Sequence, residues 1–196
     1  HLSFDKMEGK GFFTKEIEAA LLDKSIDLAV HSHKDLETKS PEGLVIAAVS
    51  KRENPSELLL IRESAVDENL PLGLKKNPII GTSSARRKSQ LITCREDLEI
   101  KDLRGNVPTR INKLREGHYD AIVLALAGVK RLELDLSDLI TTTLDPTVFV
   151  PAPSQGVLGL QIRQEDDELA KILSALNDAD VQHQIGVERE VLRLLN

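Results

Sequence analysis

The sequence predicts an α/β fold in which two hinged lobes contain mainly parallel sheets with helices on both faces. Short apolar runs of β type alternate with amphipathic stretches of helical periodicity, which is typical of βα units. Two passages, at residues 50–55 and 148–153, interrupt this alternation and predict crossings between two lobes with a cleft beside the hinge. The length of 196 residues allows one large domain or two small ones.

Lobe 1 is assigned to residues 1–52 and 154–176. Its predicted elements are a helix from Phe13 to Leu22, strands at 26–31, 44–49 and 156–162, and a helix at 165–176. The first helix is predicted because Ile17 and Leu21 fall on one face. A last helix at 180–195, within residues 177–196, is expected to lead toward a third domain that this sequence lacks.

Lobe 2 is assigned to residues 53–153 and repeats one strand-to-helix theme. Its predicted elements are strands at 58–61, 78–80, 98–103 and 119–125 and helices at 82–91, 108–116 and 129–132. Pro108 suits the first turn of its helix, and Gly117 suits the stop after it.

The composition excludes several classes of protein. A formal net charge of -6 and only 3% aromatic residues disfavour nucleic-acid partners, whose phosphates require a basic face. The longest apolar run, residues 121–129, is too short to cross a bilayer, which takes about 20 residues. The single cysteine, Cys94, excludes an internal disulfide. We therefore expect a soluble, cytoplasmic monomer with no membrane partner.

Arginine follows each of the last three predicted strand ends of lobe 2. These residues are Arg86, Arg87, Arg104, Arg110 and Arg131. If the strands are parallel neighbours, the arginines lie at one edge of the sheet and can bind a ligand that carries several carboxylates or phosphates through paired hydrogen bonds. Backbone N–H groups at Ser83 and Ser84 add to such an anion site. The alternative is that each arginine is an ordinary solvated surface residue.

Asp35 lies just beyond a predicted strand of lobe 1, at the corresponding edge. A carboxylate there can accept hydrogen bonds from ligand N–H groups, stabilise positive charge or move protons. The alternative is a turn cap. His31 and His33 would share one face of a strand, but no further ligands complete a metal site, so no metal is expected.

Six segments, in order along nearly the whole chain, together resemble the porphobilinogen deaminase (hydroxymethylbilane synthase) family. They are residues 9–16, 27–35, 81–87, 103–110, 119–132 and 151–156. The double arginine at 86–87 and the Arg-Gly-Asn at 104–106 are the most specific of these motifs. The resemblance implies lobes like those of periplasmic binding proteins.

The resemblance also implies a transferase of tetrapyrrole (haem) biosynthesis that binds a dipyrromethane cofactor. Such an enzyme joins four porphobilinogen molecules head to tail, with loss of ammonia, to give hydroxymethylbilane. Asp35 would be the catalytic residue, holding pyrrole N–H groups and stabilising the cation formed as ammonia leaves. The residues that would bind the substrate porphobilinogen or the cofactor are Lys10, Phe13, Lys34, Ser83, Ser84, Arg86, Arg87, Arg104, Arg110, Arg131, Gln155 and Gly156.

Several positions depart from the family pattern. His33 stands where a small or apolar residue is more common, Glu37 where proline is common, and Pro55-Ser56-Glu57 replaces proline-arginine-aspartate. The family's first strand, and the cysteine that carries the cofactor, are expected to lie outside this sequence. We therefore expect a fragment that is inactive alone.

Two other functions remain open at this stage. A two-lobed, non-catalytic binding module for a polycarboxylate or another anion would have the same arginines, but it would gain nothing from a carboxylate in its cleft. A nucleic-acid binder that uses the arginine cluster is disfavoured by the acidic net charge.

Overall fold

The computed structural model describes residues 12–195, and in that part the chain forms two compact units. One is made of residues 12–53 with 152–195, and the other of residues 54–151. Both mix helices with a sheet, which confirms the predicted α/β class. The predicted limits of the functional lobes, and the third domain, stay predictions.

The first unit is built on a short sheet. Its strands within the described residues are β1 (Ala29–Ser32), β2 (Leu44–Val49) and β8 (Leu158–Arg163). The strand order is β1-β8-β2, and β8 is antiparallel to both neighbours. The helices of this unit are α1 (Phe12–Leu22), α5 (Asp167–Leu173) and α6 (Ala179–Leu195). Each buries apolar side chains beside sheet residues, for example Leu21 of α1, Leu173 of α5 and Ile185 of α6.

The second unit has a larger sheet. Its strands, all inside the described range, are β3 (Glu57–Arg62), β4 (Ile79–Gly81), β5 (Glu99–Lys101), β6 (Ala121–Ala125) and β7 (Leu139–Thr143). The order is β5-β4-β6-β3-β7; β4 is parallel to β5 and β6, whereas β3 is antiparallel to β6 and β7. The helices are α2 (Ala85–Cys94), α3 (Val107–Arg115) and α4 (Leu126–Lys130).

Both faces of the second sheet are covered. Leu58 and Leu60 of β3 belong to one apolar cluster, and Leu59 and Ile61 belong to another. Because successive side chains of a strand point to opposite faces, the fully apolar run of β3 requires cover on both sides. This arrangement confirms the expectation of helices on both faces, since α3 and α2 contribute to different clusters.

Antiparallel pairs make up four of the six strand pairings among the described residues, so the sheets are mixed rather than mainly parallel. In each sheet, the strand that the chain forms first after passing between units, β3 or β8, runs against its neighbours. The remaining strands of each sheet all point the same way.

Several details of the prediction were wrong, among them the helix predicted at 129–132, which is α4 at Leu126–Lys130. The strand predicted from residue 26 begins at Ala29, because Arg163 binds the Ile26 carbonyl at 2.7 Å and the Asp27 carboxylate at 2.5 Å and holds this stretch outside the sheet. Strand β7 was not predicted, since four of its five residues are exposed and it lacks alternating polarity. No helix among the described residues is long and apolar enough to cross a membrane.

Candidate functional site

Three strand-to-helix junctions of the second unit lie at one edge of its sheet. Strands β5, β4 and β6 are parallel neighbours, so their carboxyl ends share that edge, and a helix begins soon after each. The first two junctions are joined directly. The Ser83 hydroxyl donates to the Leu103 carbonyl and accepts from the Leu103 N–H, both at 3.0 Å. Ser83 is therefore a structural link at the edge, beside the candidate arginines.

Helix α2 begins at this edge because Ser84 caps it. The Ser84 side chain accepts a hydrogen bond from the Arg87 N–H at 3.4 Å, which satisfies one backbone donor of the first turn. The cap places Arg86 and Arg87 in the first turn, as the sequence indicated.

The two arginines share one buried carboxylate, that of Glu57. Arg86 Nη2 lies 2.5 Å from Glu57 Oε1, and Arg87 Nη2 lies 2.6 Å from Glu57 Oε2. Arg86 also donates to the Val150 carbonyl at 2.6 Å, and Arg87 donates to the Val123 carbonyl at 2.9 Å. The Glu57 side chain has 0% exposure, Arg87 has 8% and Arg86 has 26%. Arg86 is thus the more accessible of the pair.

The charge state of Glu57 follows from these contacts. Burial raises the pKa of its carboxyl, but the hydrogen bonds and charges of Arg87 and Arg86 outweigh burial and hold the pKa below its usual value. Glu57 is therefore ionised at neutral pH, and with the two guanidinium groups it leaves one net positive charge.

Arg104 and Arg110 lie beside the second junction. Arg104 follows Leu103 and is exposed, and Arg110, in the first turns of α3, donates from Nε to the Gly105 carbonyl at 2.6 Å. Arg131 is also exposed and is the C-terminal cap of the five-residue helix α4. Four of the predicted arginines therefore lie at the first two junctions, and the fifth lies at the end of the helix that follows the third junction.

In the first unit, Asp35 ends a 3-10 turn, His33–Asp35, that directly follows β1. Asp35 is exposed, and among the described residues its carboxylate has no hydrogen bond or ion pair. The turn itself is anchored: the His33 N–H donates to the Val157 carbonyl at 3.0 Å, and Lys34 Nζ donates to Gln155 Oε1 at 2.9 Å. An anchored backbone with an outward carboxylate can present an acceptor to a ligand.

The anchor for Lys34 comes from the segment where the chain returns to the first unit. Gln155 is buried, with 1% exposure. Gly156 follows with φ +92°, and a Cβ there would collide with the Glu53 carbonyl oxygen, so only glycine fits. Gln155 thus supports Lys34, and Gly156 allows the close backbone approach.

The histidines of this region are structural. His31 Nε2 pairs with Gln161 Oε1 at 2.9 Å, while His33 is buried with 5% exposure. Burial, with the nearby charge of Arg189, lowers the pKa of His33 to about 4. Within residues 12–195 no group of three or more histidine, cysteine or acidic residues could hold a metal ion.

The side chains of two predicted ligand-binding residues, Lys10 and Phe13, lie outside the described part of the structure. Lys10 lies outside the described residues, and Phe13 is described only as part of the helix α1 backbone.

Two residues of the site were missed in the sequence. Glu57 is an acidic residue directly before the apolar residues 58–61 of β3, and its burial there is costly without a cationic partner; this was the available signal. Arg189 donates to the carbonyls of His33 and Leu36, at 3.4 and 3.3 Å, and to that of Glu37. Nothing in the local sequence marks Arg189 as a partner of a turn so distant along the chain.

Comparisons with known proteins agree with the motifs. A family model described as porphobilinogen deaminase, dipyromethane cofactor binding domain, matches residues 1–171. A porphobilinogen deaminase of Oceanobacillus iheyensis is 45% identical over 194 residues, which is 99% of this chain and 61% of that protein. One from Streptococcus sanguinis is 47% identical over 197 residues, which is 100% of this chain and 63% of that protein. The chain thus spans about three fifths of the length of these curated relatives.

Solved structures show weaker similarity. The periplasmic VFT2 domain of Bordetella pertussis BvgS has a TM-score of 0.48 and 14% identity, covering 89% of this chain and 72% of that one. The arginine-bound form of a truncated ArgBP from T. maritima has a TM-score of 0.45 and 14% identity, covering 87% and 73%.

Proposed function

The chain belongs to the porphobilinogen deaminase family, and on this premise we propose that it is the part of such an enzyme that binds the growing pyrrole chain. The proposed reaction joins four porphobilinogen molecules head to tail, with loss of ammonia, and yields hydroxymethylbilane. One observation carries the proposal for this chain: an edge rich in arginine in one unit accompanies, in the other, an exposed aspartate that has no partner among the described residues and lies on an anchored turn.

The arginine edge suits the substrate because each pyrrole ring carries an acetate and a propionate. Arg86, Arg104 and Arg110 offer planar donors that match carboxylates, and the Ser84 end of α2 adds the positive end of a helix dipole. The carboxylates would be held at this edge while the ring carbons stay free to react.

The dipyrromethane cofactor fits the same donors. The buried Arg87 Nε has no acceptor among the described residues, and a ligand carboxylate could supply one. Arg86, Arg87 and Arg104 would hold the cofactor, which when bound supplies the primer to which the substrate units are added. Cys94 ends α2, ten residues of helix away from the edge, and so does not lie among these donors.

Asp35 would carry out the chemistry of ammonia loss. As the amine leaves, positive charge spreads over the pyrrole and its nitrogen. A carboxylate that accepts a hydrogen bond from the pyrrole N–H opposes this charge more strongly in the transition state than in the bound substrate. The absence of any cationic partner for Asp35 among the described residues leaves its charge available for that role.

We further propose that turnover needs sequence beyond this chain, since the curated relatives are longer. The resemblance also implies a cofactor-bearing cysteine, and Cys94, at the far end of α2, would not take its place. The first experiment measures porphobilinogen consumption and porphyrin absorbance after acidification. The chain is assayed as it is and after completion with the flanking segments of the Oceanobacillus iheyensis relative. Turnover only after completion supports the proposal, whereas turnover by the chain alone contradicts it.

The role of Asp35 is tested in the completed polypeptide. Asp35→Asn should lower turnover by about 100-fold or more, the usual range for a lost catalytic carboxylate, and leave folding unchanged because the side chain is exposed. Glu37→Gln, an exposed neutral substitution two residues away, is the matched control and should retain turnover. Normal turnover by Asp35→Asn would remove Asp35 from the mechanism.

A further inference from the structure

The carboxylate of Glu57 lies deeper than either arginine that it binds. Its side chain is fully buried, and its two oxygens are divided between the two guanidinium groups, Oε1 to Arg86 and Oε2 to Arg87. Neither oxygen is directed to solvent. The carboxylate is therefore already engaged before any ligand reaches the edge.

The backbone that carries Glu57 is firmly placed. Glu57 opens β3, where it pairs with Ala125 of β6, and its carbonyl accepts the Leu144 N–H at 2.9 Å. Strand β3 lies inside the sheet, between β6 and β7. A carboxylate on such a strand offers a fixed reference point for two long side chains that have many rotamers.

Two effects of Glu57 on an anion site oppose each other. Its negative charge reduces the attraction of the arginine pair for a ligand carboxylate. Its hydrogen bonds fix the two guanidinium planes in advance, so that less side-chain entropy is lost when the ligand binds. The geometry decides between them, because both arginines have a second anchor at a backbone carbonyl, Val150 for Arg86 and Val123 for Arg87. A guanidinium that is held at two points has a fixed orientation. The negative charge of Glu57 is divided between two arginines, so each of them keeps part of its attraction for a ligand carboxylate.

We infer that Glu57 is a positioning residue that holds Arg86 and Arg87 in the orientation in which they receive a ligand carboxylate. The inference rests on the proposed function in taking Arg86 as a ligand-binding residue. It assigns a role to the position where this chain has glutamate at the end of Pro55-Ser56-Glu57.

The inference predicts that neutralising Glu57 weakens ligand binding, whereas net charge alone would predict tighter binding of an anionic ligand. Glu57→Gln makes the edge more positive by one charge, yet binding of porphobilinogen should weaken by about tenfold because the arginines lose their reference point. Asp102→Asn is the matched control. Asp102 also lies at this edge, is exposed and pairs with Lys88 at 2.6 Å, so its neutral form adds the same charge without releasing either arginine. Its binding should stay equal or become tighter.

Glu57→Asp is a second variant that keeps the inference testable if Glu57→Gln does not fold. It keeps the charge but shortens the side chain, so it should also weaken binding. Titration calorimetry with porphobilinogen measures affinity, and circular dichroism verifies folding. If folded Glu57→Gln or Glu57→Asp binds as tightly as the parent chain, the inference is wrong.

A second readout is independent of the ligand. In ¹⁵N NMR spectra, the side-chain Nη–H signals of Arg86 and Arg87, whose Nη2 groups bind Glu57, should exchange slowly with water in the parent chain and in Asp102→Asn, and rapidly in both Glu57 variants. Unchanged exchange in the Glu57 variants overturns the inference. Absence of porphobilinogen binding by the parent chain, with the exchange differences present, would instead count against the proposed function.

Discussion

His33 shows at the scale of one residue how burial and charge combine. Its ring packs against Gly159, where a Cβ would come within 2.8 Å of His33 Cδ2, and its Nδ1 has no partner among the described residues. Protonation would place a cation in this buried position, close to Arg189. Burial and that neighbouring charge therefore keep the imidazole neutral.

This residue should make the chain less stable in mild acid. The pKa of His33 is 6.5 when unfolded and about 4 when folded, so between these values the unfolded state binds a proton that the folded state does not. As the pH falls from 6.5 toward 4, the free energy of unfolding should decrease by about 3 kcal/mol from this group, at 1.36 kcal/mol for each pKa unit.

Urea unfolding at several pH values tests this expectation. His33→Ala should be less sensitive to pH between 4 and 6.5 than the parent chain, whereas the exposed His183→Ala should retain the parent's dependence. An equal pH dependence for His33→Ala and the parent would show that His33 is protonated in the folded chain.

Some residues of the candidate site could be predicted from the sequence and others could not. The arginines at the strand ends and Asp35 could be singled out because their positions follow from the order of strands and helices. Glu57 and Arg189 could not, because their roles depend on partners brought close only by folding. A sequence shows that a buried acid needs a cation, but not which cation meets it.

At the scale of elements, α6 acts as a support for the turn that carries Asp35. Arg189 lies about three turns into this helix. Its guanidinium donates hydrogen bonds to the backbone carbonyls of His33, Leu36 and Glu37, in and just after the turn. Burial lowers the pKa of this arginine. A guanidinium with several donors can hold a short turn that has few backbone hydrogen bonds of its own.

Replacing Arg189 with methionine should loosen this turn without unfolding the first unit. Hydrogen exchange of the backbone amides of residues 34–37 should become about tenfold faster or more, as expected if about 1.4 kcal/mol of local stability is lost. Arg193→Met is the control, since Arg193 is exposed on the same helix and pairs only locally with Glu190 at 2.5 Å. Equal exchange in the two variants would show that Arg189 does not support the turn.

The elements themselves were predicted best where the hydrophobic pattern is strong. Strand β2 was placed at residues 44–49, as observed, and α1 was one residue longer than expected. Strand β7 escaped because an exposed edge strand of threonines has no apolar face to reveal it. The start of α2 was predicted three residues early, because the hydroxyl at residue 84 rather than that at 82 is the cap.

At the scale of the whole molecule, one unit is continuous in sequence and the other is discontinuous. Residues 54–151 form the second unit without interruption, whereas the first unit joins two distant stretches. Both β1 and β2 are hydrogen-bonded to β8, so that Ala29 pairs with Gln161 and Leu44 with Arg163. Pairing over such long separations is slow, because the intervening loop must first be closed.

A chain fragment of residues 54–151 should therefore fold alone. It contains both apolar clusters of its sheet, and we expect a single cooperative unfolding transition in urea. A fragment of residues 1–53, which has β1 and β2 but not the strand between them, should show none. A disordered 54–151 fragment would show that the second unit depends on the rest of the chain.

The central position of β8 has a consequence for biosynthesis on the ribosome. Asp35 is translated early, but the supports of its turn, at Val157, Gln155 and Arg189, are translated late. The arginine edge can thus fold on the nascent chain before the residues that anchor the Asp35 turn have been translated. A polypeptide released prematurely before residue 155 would carry an assembled arginine edge and no organised aspartate turn after β1, and would be a candidate for proteolysis.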